Sequence, residues 1–499
     1  MFALAAGSSI SAAALGAAAS CPSLASLTIP QVRLTLTEEI IPQPTWPYPP
    51  SLFTARLAPG SGVTGLPFCR VVGIIETEIN FELWLPRDWS GRFEGVGNGG
   101  LTGAINYPAM GTALALGNAV ASTDMGHKTE QGFFQADWIP GHPQRVVNFG
   151  HRAHHLMAVN AKKIVAAYYG RAADHAYYSG CSSGGWEGLS EAQKYPGDYD
   201  GIVAGAPAIN FVKLQSRSII LNQLALEDPA GNLPPAQAQL LESAAIKRCD
   251  AADGVTDGII SDLRACRFDP GELLCAGAGG ADCLTAAQVK RARMLYGPMR
   301  SAAGRALYPG PAYGAYPFAR LPGPTPELTS LPAVALMLRS RPAWTVATFD
   351  ADRDIPPMER ELEDSLDAMN AKLQPFAARG GKLILYHGLA DDLLSPYNTI
   401  DYFERVRRAV GAQATDAFAR LYLVPGMGHC GGGPGPDRFD ALTAVEAWVE
   451  HAAAPKELIA SHLREGVADR TRPLCPYPQV ASYTGSGDSD QAKNFVCRP

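Results

Sequence analysis

The chain has 499 residues, 46% of them hydrophobic and 18% charged, a composition that excludes an intrinsically disordered polymer and a length that allows a large buried core. Its formal net charge is −6 and no block of Lys and Arg occurs, so the electrostatic footprint of a nucleic-acid-binding protein is absent. Beyond the N-terminus there is no apolar run of about 20 residues, which argues against a membrane span in the mature chain.

Residues 1–20 are Ala-rich and apolar and lead into Ala17-Ala18-Ala19-Ser20-Cys21, like the apolar and cleavage regions of a secretory signal. The first basic residue is Arg33, so the positive region that usually opens such a signal is missing. A Cys after small residues is also the pattern of a lipid anchor, but Ala18 stands where Leu is more usual, and a disulfide is the preferred use of Cys21. From 71 to 124 the chain reads as successive strands, VVGIIETEINFELWLP, RFEGVGNGG and NAVASTDMGH, and 148–169 reads as a helix. That alternation is the signature of a doubly wound sheet.

Next come His175-Ala176-Tyr177-Tyr178-Ser179, a short aromatic strand, then Gly180-Cys181-Ser182-Ser183-Gly184, then a helical stretch from Trp186 to Ala192. Strand, tight glycine turn and helix are what a nucleophile elbow requires, because the turn leaves the serine hydroxyl exposed at a helix N-terminus. Ser182 is the nucleophile candidate. DGIVAGAP at 200 reads as the following strand.

Between about 208 and 375 strand patterns fade, and helical stretches such as PAQAQLLESAAIKRC alternate with Gly/Pro/Tyr-rich segments. The expected architecture is an α/β-hydrolase sheet carrying a large inserted lid. Within the lid, Asp250, Asp253 and Asp257 with two glycines offer a hard-oxygen cluster, and the carbonyls of Val255 and Ile259 could complete a calcium shell. The offsets are not those of an EF-hand, whose twelfth position would here be Ser261.

Sheet signals return at 382 with KLILYH, running into Gly388-Leu389-Ala390-Asp391-Asp392, and again at 419 with ARLYLV, followed by Pro425-Gly426-Met427-Gly428-His429. A catalytic acid and base on loops after strands is the expected placement, in the order Ser, Asp, His. Asp391, Asp392 and Asp401 compete as the orienting acid, and His387 is the rival of His429. His429-Cys430 mirrors Cys181-Ser182, so a bond between the two cysteines would hold nucleophile beside base. The ten cysteines include no Cys-x-x-Cys pair, which favours disulfides in an oxidising compartment over a zinc ribbon. Cys249 with Cys266 and Cys275 with Cys283 could close small loops, and Cys475 with Cys497 could pin the tail. Spacing alone leaves the connectivity open.

GCSSGG at 180, DGIVAGAPA at 200, CDAADGVTDGI at 249, HGLADD at 387 and VPGMGHCGGGPGPDRFD at 424 together resemble the tannase and feruloyl esterase family of secreted α/β-hydrolases, over nearly the whole chain. The resemblance implies catalytic segments at 21–207 and 376–499 flanking the lid at 208–375, with Ser182 as nucleophile, His429 as base and Asp391 as acid. It implies the disulfides Cys181–Cys430, Cys21–Cys69, Cys249–Cys266, Cys275–Cys283 and Cys475–Cys497. It further implies structural calcium at Asp250, Asp253, Val255, Asp257 and Ile259, and no organic cofactor.

The expected reaction is hydrolysis of a small aromatic ester of the feruloyl or galloyl type through an acyl-enzyme, with a terephthalate monoester as the alternative substrate, outside the cell or in a periplasm. The oxyanion would be held by the backbone N–H of Ser183 and one from the Gly97-Asn98-Gly99-Gly100 loop, Gly97 first. Trp344, Phe349 and Leu394 are the candidate substrate contacts. Two readings from other classes stand against this: a zinc module using Cys181, His429 and Cys430, and a calcium-dependent binding protein without catalysis.

Overall fold

The computed structural model describes residues 19–129, 132–277, 280–315 and 346–499. Nine strands form its central sheet: β1 Val32–Ile40, β2 Phe68–Ile75, β3 Ile79–Pro86, β4 Arg92–Val96, β5 Ala119–Thr123, β6 His175–Cys181, β7 Gly201–Gly205, β8 Lys382–Gly388 and β9 Ala419–Val424. They lie in the order β1-β2-β3-β5-β4-β6-β7-β8-β9, antiparallel from β1 to β5 and parallel from β5 onward. This is an α/β-hydrolase sheet. The antiparallel edge strand β1 is an addition to the strands read from the sequence; its burial is uneven, and its apolar alternation is correspondingly weak.

Helices cover both faces of the parallel half, so β5 and β7 are buried along their whole lengths. Helix α1 (Tyr107–Ala115) packs on one face, α2 (Ala153–Tyr169) and α3 (Ser183–Lys194) on the other. In β8, Leu383 and Leu385 enter the larger core while Ile384 between them enters the smaller core on the opposite face, the two-residue period of a strand.

Between β7 and β8 the chain leaves the sheet. Among the described residues this segment holds α4 (Phe211–Glu227), α5 (Pro235–Cys249), α6 (Ala286–Tyr296) and α7 (Ala351–Leu366), with a separate core around Leu241, Ala245, Ile260, Leu284 and Ala292. Helix α6 starts where a capping box dictates: Thr285 accepts from the Gln288 N–H and Gln288 reciprocates. After β8 and β9 come α8 (Pro396–Val410) and α9 (Ala441–His451), on opposite faces.

Two C-terminal hairpins complete the fold, β10 (Leu458–Arg464) with β11 (Val467–Leu474) and β12 (Val480–Tyr483) with β13 (Phe495–Arg498). They return to the inserted segment: Arg472 of β11 donates to Asp257 at 2.6 Å, and Phe495 packs with Val255. The five disulfides are the pairs expected: Cys21–Cys69, Cys181–Cys430, Cys249–Cys266, Cys275–Cys283 and Cys475–Cys497. No helix among the described residues is long and apolar enough to cross a membrane.

Candidate active site

Ser182 sits between the end of β6 and the start of α3 with φ 64° and ψ −121°. A non-glycine residue there carries strain of about 1–3 kcal/mol, and it persists only where neighbours hold it. The Ser182 N–H donates to Gly205 O at 3.0 Å and its carbonyl accepts from Ala208 N–H at 3.1 Å. Close packing of the elbow explains its glycines: a Cβ on Gly185 would lie 2.2 Å from Gly205 O, and one on Gly180 would lie 2.6 Å from Gly184 O.

Asp391, fully buried beyond the end of β8, meets His429 from the loop after β9. His429 Nδ1 lies 2.8 Å from Asp391 Oδ2, so the imidazole N–H points at the carboxylate and Nε2 is left for chemistry. Asp391 also accepts from the backbone N–H groups of Leu393 (2.8 Å) and Leu394 (2.9 Å) through Oδ1. His387 Nε2 is 3.2 Å from Oδ2. Burial opposes ionisation of Asp391, but the hydrogen bonds and charges of His387 and His429 outweigh it and hold the carboxyl well below its usual range.

The competing residues separate by environment. His387 is fully buried, with Nδ1 2.8 Å from Thr399 Oγ1, and has no access to a substrate. Asp401 lies on the surface of α8, paired with Arg405. Asp392 reaches the cavity wall, but the bond to His429 belongs to Asp391.

Ser182, His429 and the Cys181–Cys430 disulfide line one cavity of about 1060 Å³. His429 Nε2 has Cys430 Sγ at 3.7 Å, and among the described residues Ser182 Oγ makes no hydrogen bond. Catalytic hydrogen bonds are often loose without substrate and tighten when it binds.

Of the expected oxyanion donors, Gly97 is not free to act. Gly97 N–H is already committed to Ser179 O at 2.9 Å, because β4 continues its ladder with β6 by one residue more than the Gly-rich sequence suggests. Asn98 N–H is taken by Glu187. The amides of Ser183, Gly99 and Gly100 have no partner among the described residues, and all three residues line the cavity. The loop is fastened to the helix by Gly184 N–H donating to Asn98 O at 3.0 Å and by Ser183 Oγ donating to Gly100 O at 2.5 Å.

Of the expected substrate contacts, Leu394 is on the cavity wall. Phe349 is not: it is 6% exposed and belongs to the main core. Trp344 lies outside the described residues. The apolar walls come instead from Phe53, Phe133, Leu214, Leu221 and Leu295. Arg217 of α4 also reaches the wall; it donates to Leu295 O, forms no ion pair among the described residues, and burial lowers its pKa from the usual value. A half-buried guanidinium on a helix face gives little sequence signal, and Arg217 was not anticipated.

In the 250–259 loop, Asp250 accepts from the N–H groups of Asp257, Gly258 and Ile259, and Asp253 from that of Val255. The carbonyls of Val255 and Ile259 accept no hydrogen bond among the described residues. Three carboxylates and two open carbonyls are the donor types that a hard cation such as calcium takes, with Arg472 competing for Asp257.

Two further acids lie beneath the site, both buried. Glu94 of β4 accepts from Asn118 (2.9 Å) and Ser179 (2.7 Å), and Glu187 of α3 accepts from Asn98 N–H (3.1 Å). Burial pushes each up to about 7.

Residues 61–317 and 341–498 match the family described as tannase and feruloyl esterase. An uncharacterized esterase of Xanthomonas campestris pv. campestris is 35% identical over 96% of this chain and 91% of its own length. The mono(2-hydroxyethyl) terephthalate hydrolase of Piscinibacter sakaiensis is 36% identical over 89% of this chain and 84% of its own. Among solved structures, feruloyl esterase B from Aspergillus oryzae superposes with a TM-score of 0.87 at 27% identity, covering 96% of this chain and 99% of that one.

Proposed function

Because the chain belongs to the tannase and feruloyl esterase family and is a carboxylic ester hydrolase, we propose that it cleaves esters of phenolic acids, of the feruloyl or galloyl type, through Ser182, His429 and Asp391. The observation that carries this reading is a strained serine sharing one cavity with an Asp391-bound histidine. His429 Nε2 takes the Ser182 proton as Oγ attacks the ester carbonyl carbon. The oxyanion that forms is held by Ser183 N–H and by Gly99 or Gly100 N–H. Collapse breaks the ester bond, His429 returns the proton to the departing alcohol, and the acyl group stays on Ser182. A water molecule, deprotonated by His429, then releases the acid by the same steps in reverse. Asp391 stays ionised throughout and fixes the imidazole orientation.

The apolar walls of the cavity suit an aromatic acyl group, and the five disulfides support an oxidising compartment outside the cytosol. Asp250, Asp253, Val255, Asp257 and Ile259 would hold calcium, which would stiffen the inserted segment and take no part in the reaction.

Arg217 favours a second reading. A guanidinium on the cavity wall with no carboxylate partner among the described residues would bind an acyl group carrying a free carboxylate, as in a terephthalate monoester. Hydrolysis rates across gallate, hydroxycinnamate and terephthalate monoesters test both: the first reading expects neutral phenolic esters to be cleaved fastest, and a clear preference for the anionic monoesters would replace it with the second.

A further inference from the structure

We propose that Glu187 is a positioning residue that holds the oxyanion loop, Gly97 to Gly100, in register with the nucleophile helix. The inference rests on the esterase reading of Ser182. Glu187 lies on α3 in the turn after Ser182 and is 1% exposed. Its Oε2 accepts from Asn98 N–H at 3.1 Å and is 3.1 Å from the Tyr178 hydroxyl, which is itself 2.6 Å from Gly184 O. Gly184 N–H donates to Asn98 O at 3.0 Å. Asn98 is therefore gripped on both its amide and its carbonyl by the helix that carries Ser182. The amides that follow, those of Gly99 and Gly100, are the ones left open to the cavity.

The energetics favour a role beyond packing. A carboxylate in a buried helix position is costly unless its bonds are needed, and Glu187 Oε1 has no hydrogen-bond partner among the described residues. The titratable groups around it are His154 of α2, Tyr178 of β6 and Glu191 of α3, none of which replaces it as acceptor for Asn98 N–H. Without Glu187, that N–H is left unsatisfied in the interior, and the loop can relieve it only by moving. Any such movement carries the Gly99 and Gly100 amides away from the carbonyl oxygen, and misplaced donors at an oxyanion hole cost rate rather than ground-state binding.

The test compares wild type, Ser182→Ala, Glu187→Ala and Glu187→Gln for kcat and KM on a cleaved aromatic ester, and for inhibition by a phenylboronic acid, whose serine adduct is tetrahedral. Glu187→Ala should lower kcat about 10- to 100-fold with KM within about threefold, and weaken the boronate by a similar factor. Glu187→Gln, whose amide oxygen can accept from Asn98, should recover most of the loss. If Glu187→Ala does not fold, Glu187→Asp, one methylene too short, must show the same fall in kcat. A folded Glu187→Ala with wild-type kcat, a fall in binding alone, or a Gln variant no better than Ala overturns the proposal. Wild-type hydrolysis that Ser182→Ala fails to abolish would instead overturn the esterase reading.

Discussion

The Cys430 sulfur lies 3.7 Å from Nε2 of His429, so the disulfide to Cys181 touches the nitrogen that would receive the Ser182 proton in the proposed reaction. The bond joins positions 249 residues apart, one next to Ser182 and one next to His429. Replacing Cys181 and Cys430 together should lower stability by about 2–5 kcal/mol, because a long loop regains its freedom in the unfolded chain. Turnover should fall as well, since the loop bearing His429 loses its anchor beside Ser182. A double variant that keeps its melting temperature and kcat would make the bond incidental.

Ser182, the proposed nucleophile, holds a strained backbone conformation. Ser182→Ala should lack hydrolysis yet keep the fold, and Ser182→Gly should also be inactive but more stable than the Ala variant by about 1 kcal/mol, since glycine adopts the left-handed region freely. Thermal unfolding of the two variants side by side decides it; a Gly variant less stable than Ala would mean the elbow is unstrained.

Glu94 makes stability depend on pH. Its folded pKa of about 7 lies above that of a free glutamate, so its contribution is fully present below about pH 4.5 and is lost as pH rises through 7. The loss is on the order of 3 kcal/mol if the carboxyl must ionise in place. Glu94→Gln cannot titrate, so the stability of wild type relative to this variant should decline between pH 5 and pH 8. An unchanged difference between the two proteins across that range would contradict the assignment.

Arg217 separates the two substrate readings. Arg217→Met should reduce kcat/KM for monomethyl terephthalate about 10- to 100-fold while leaving dimethyl terephthalate within about threefold, the size of one charge-assisted contact. Equal losses on both esters would assign Arg217 to the architecture around Leu295 instead.

Calcium in the 250–259 loop would appear as thermal stability. Adding EGTA should lower the melting temperature, and calcium should restore it where magnesium does not, because the loop offers irregular oxygen geometry with two carbonyls. Protein purified without calcium that melts the same with and without EGTA would leave the loop to its own hydrogen bonds.

The elbow was legible in the sequence because glycine spacing, a preceding strand and a following helix all agree on one conformation at Ser182. The choice among Asp391, Asp392 and Asp401 was not legible from residues alone, since all three follow the same strand; burial and the converging N–H groups separate them in the fold. Gly97 was misjudged because a glycine-rich run reads as a turn, while here its first residue still pairs in the sheet. Phe349 was misjudged because aromatic residues in a lid serve core and cavity alike. Glu94 and Glu187 gave no signal, as single acids in amphipathic stretches usually face water. The β10–β11 hairpin was missed because its turn uses Glu465 at φ 52° before Gly466 at φ 81°, a tight pair in which Asn or Asp is the usual first residue.

Arg472 reaches from the C-terminal hairpins to Asp257, and Phe495 packs on Val255, so the last stretch of the chain acts as a strap buckled over the inserted segment and locked by Cys475–Cys497. A truncation, a proteolytic nick or a bulky tag at this end would loosen the strap before it disturbed the central sheet. The first symptom would be altered selectivity among esters, with the hydrolytic machinery itself still assembled.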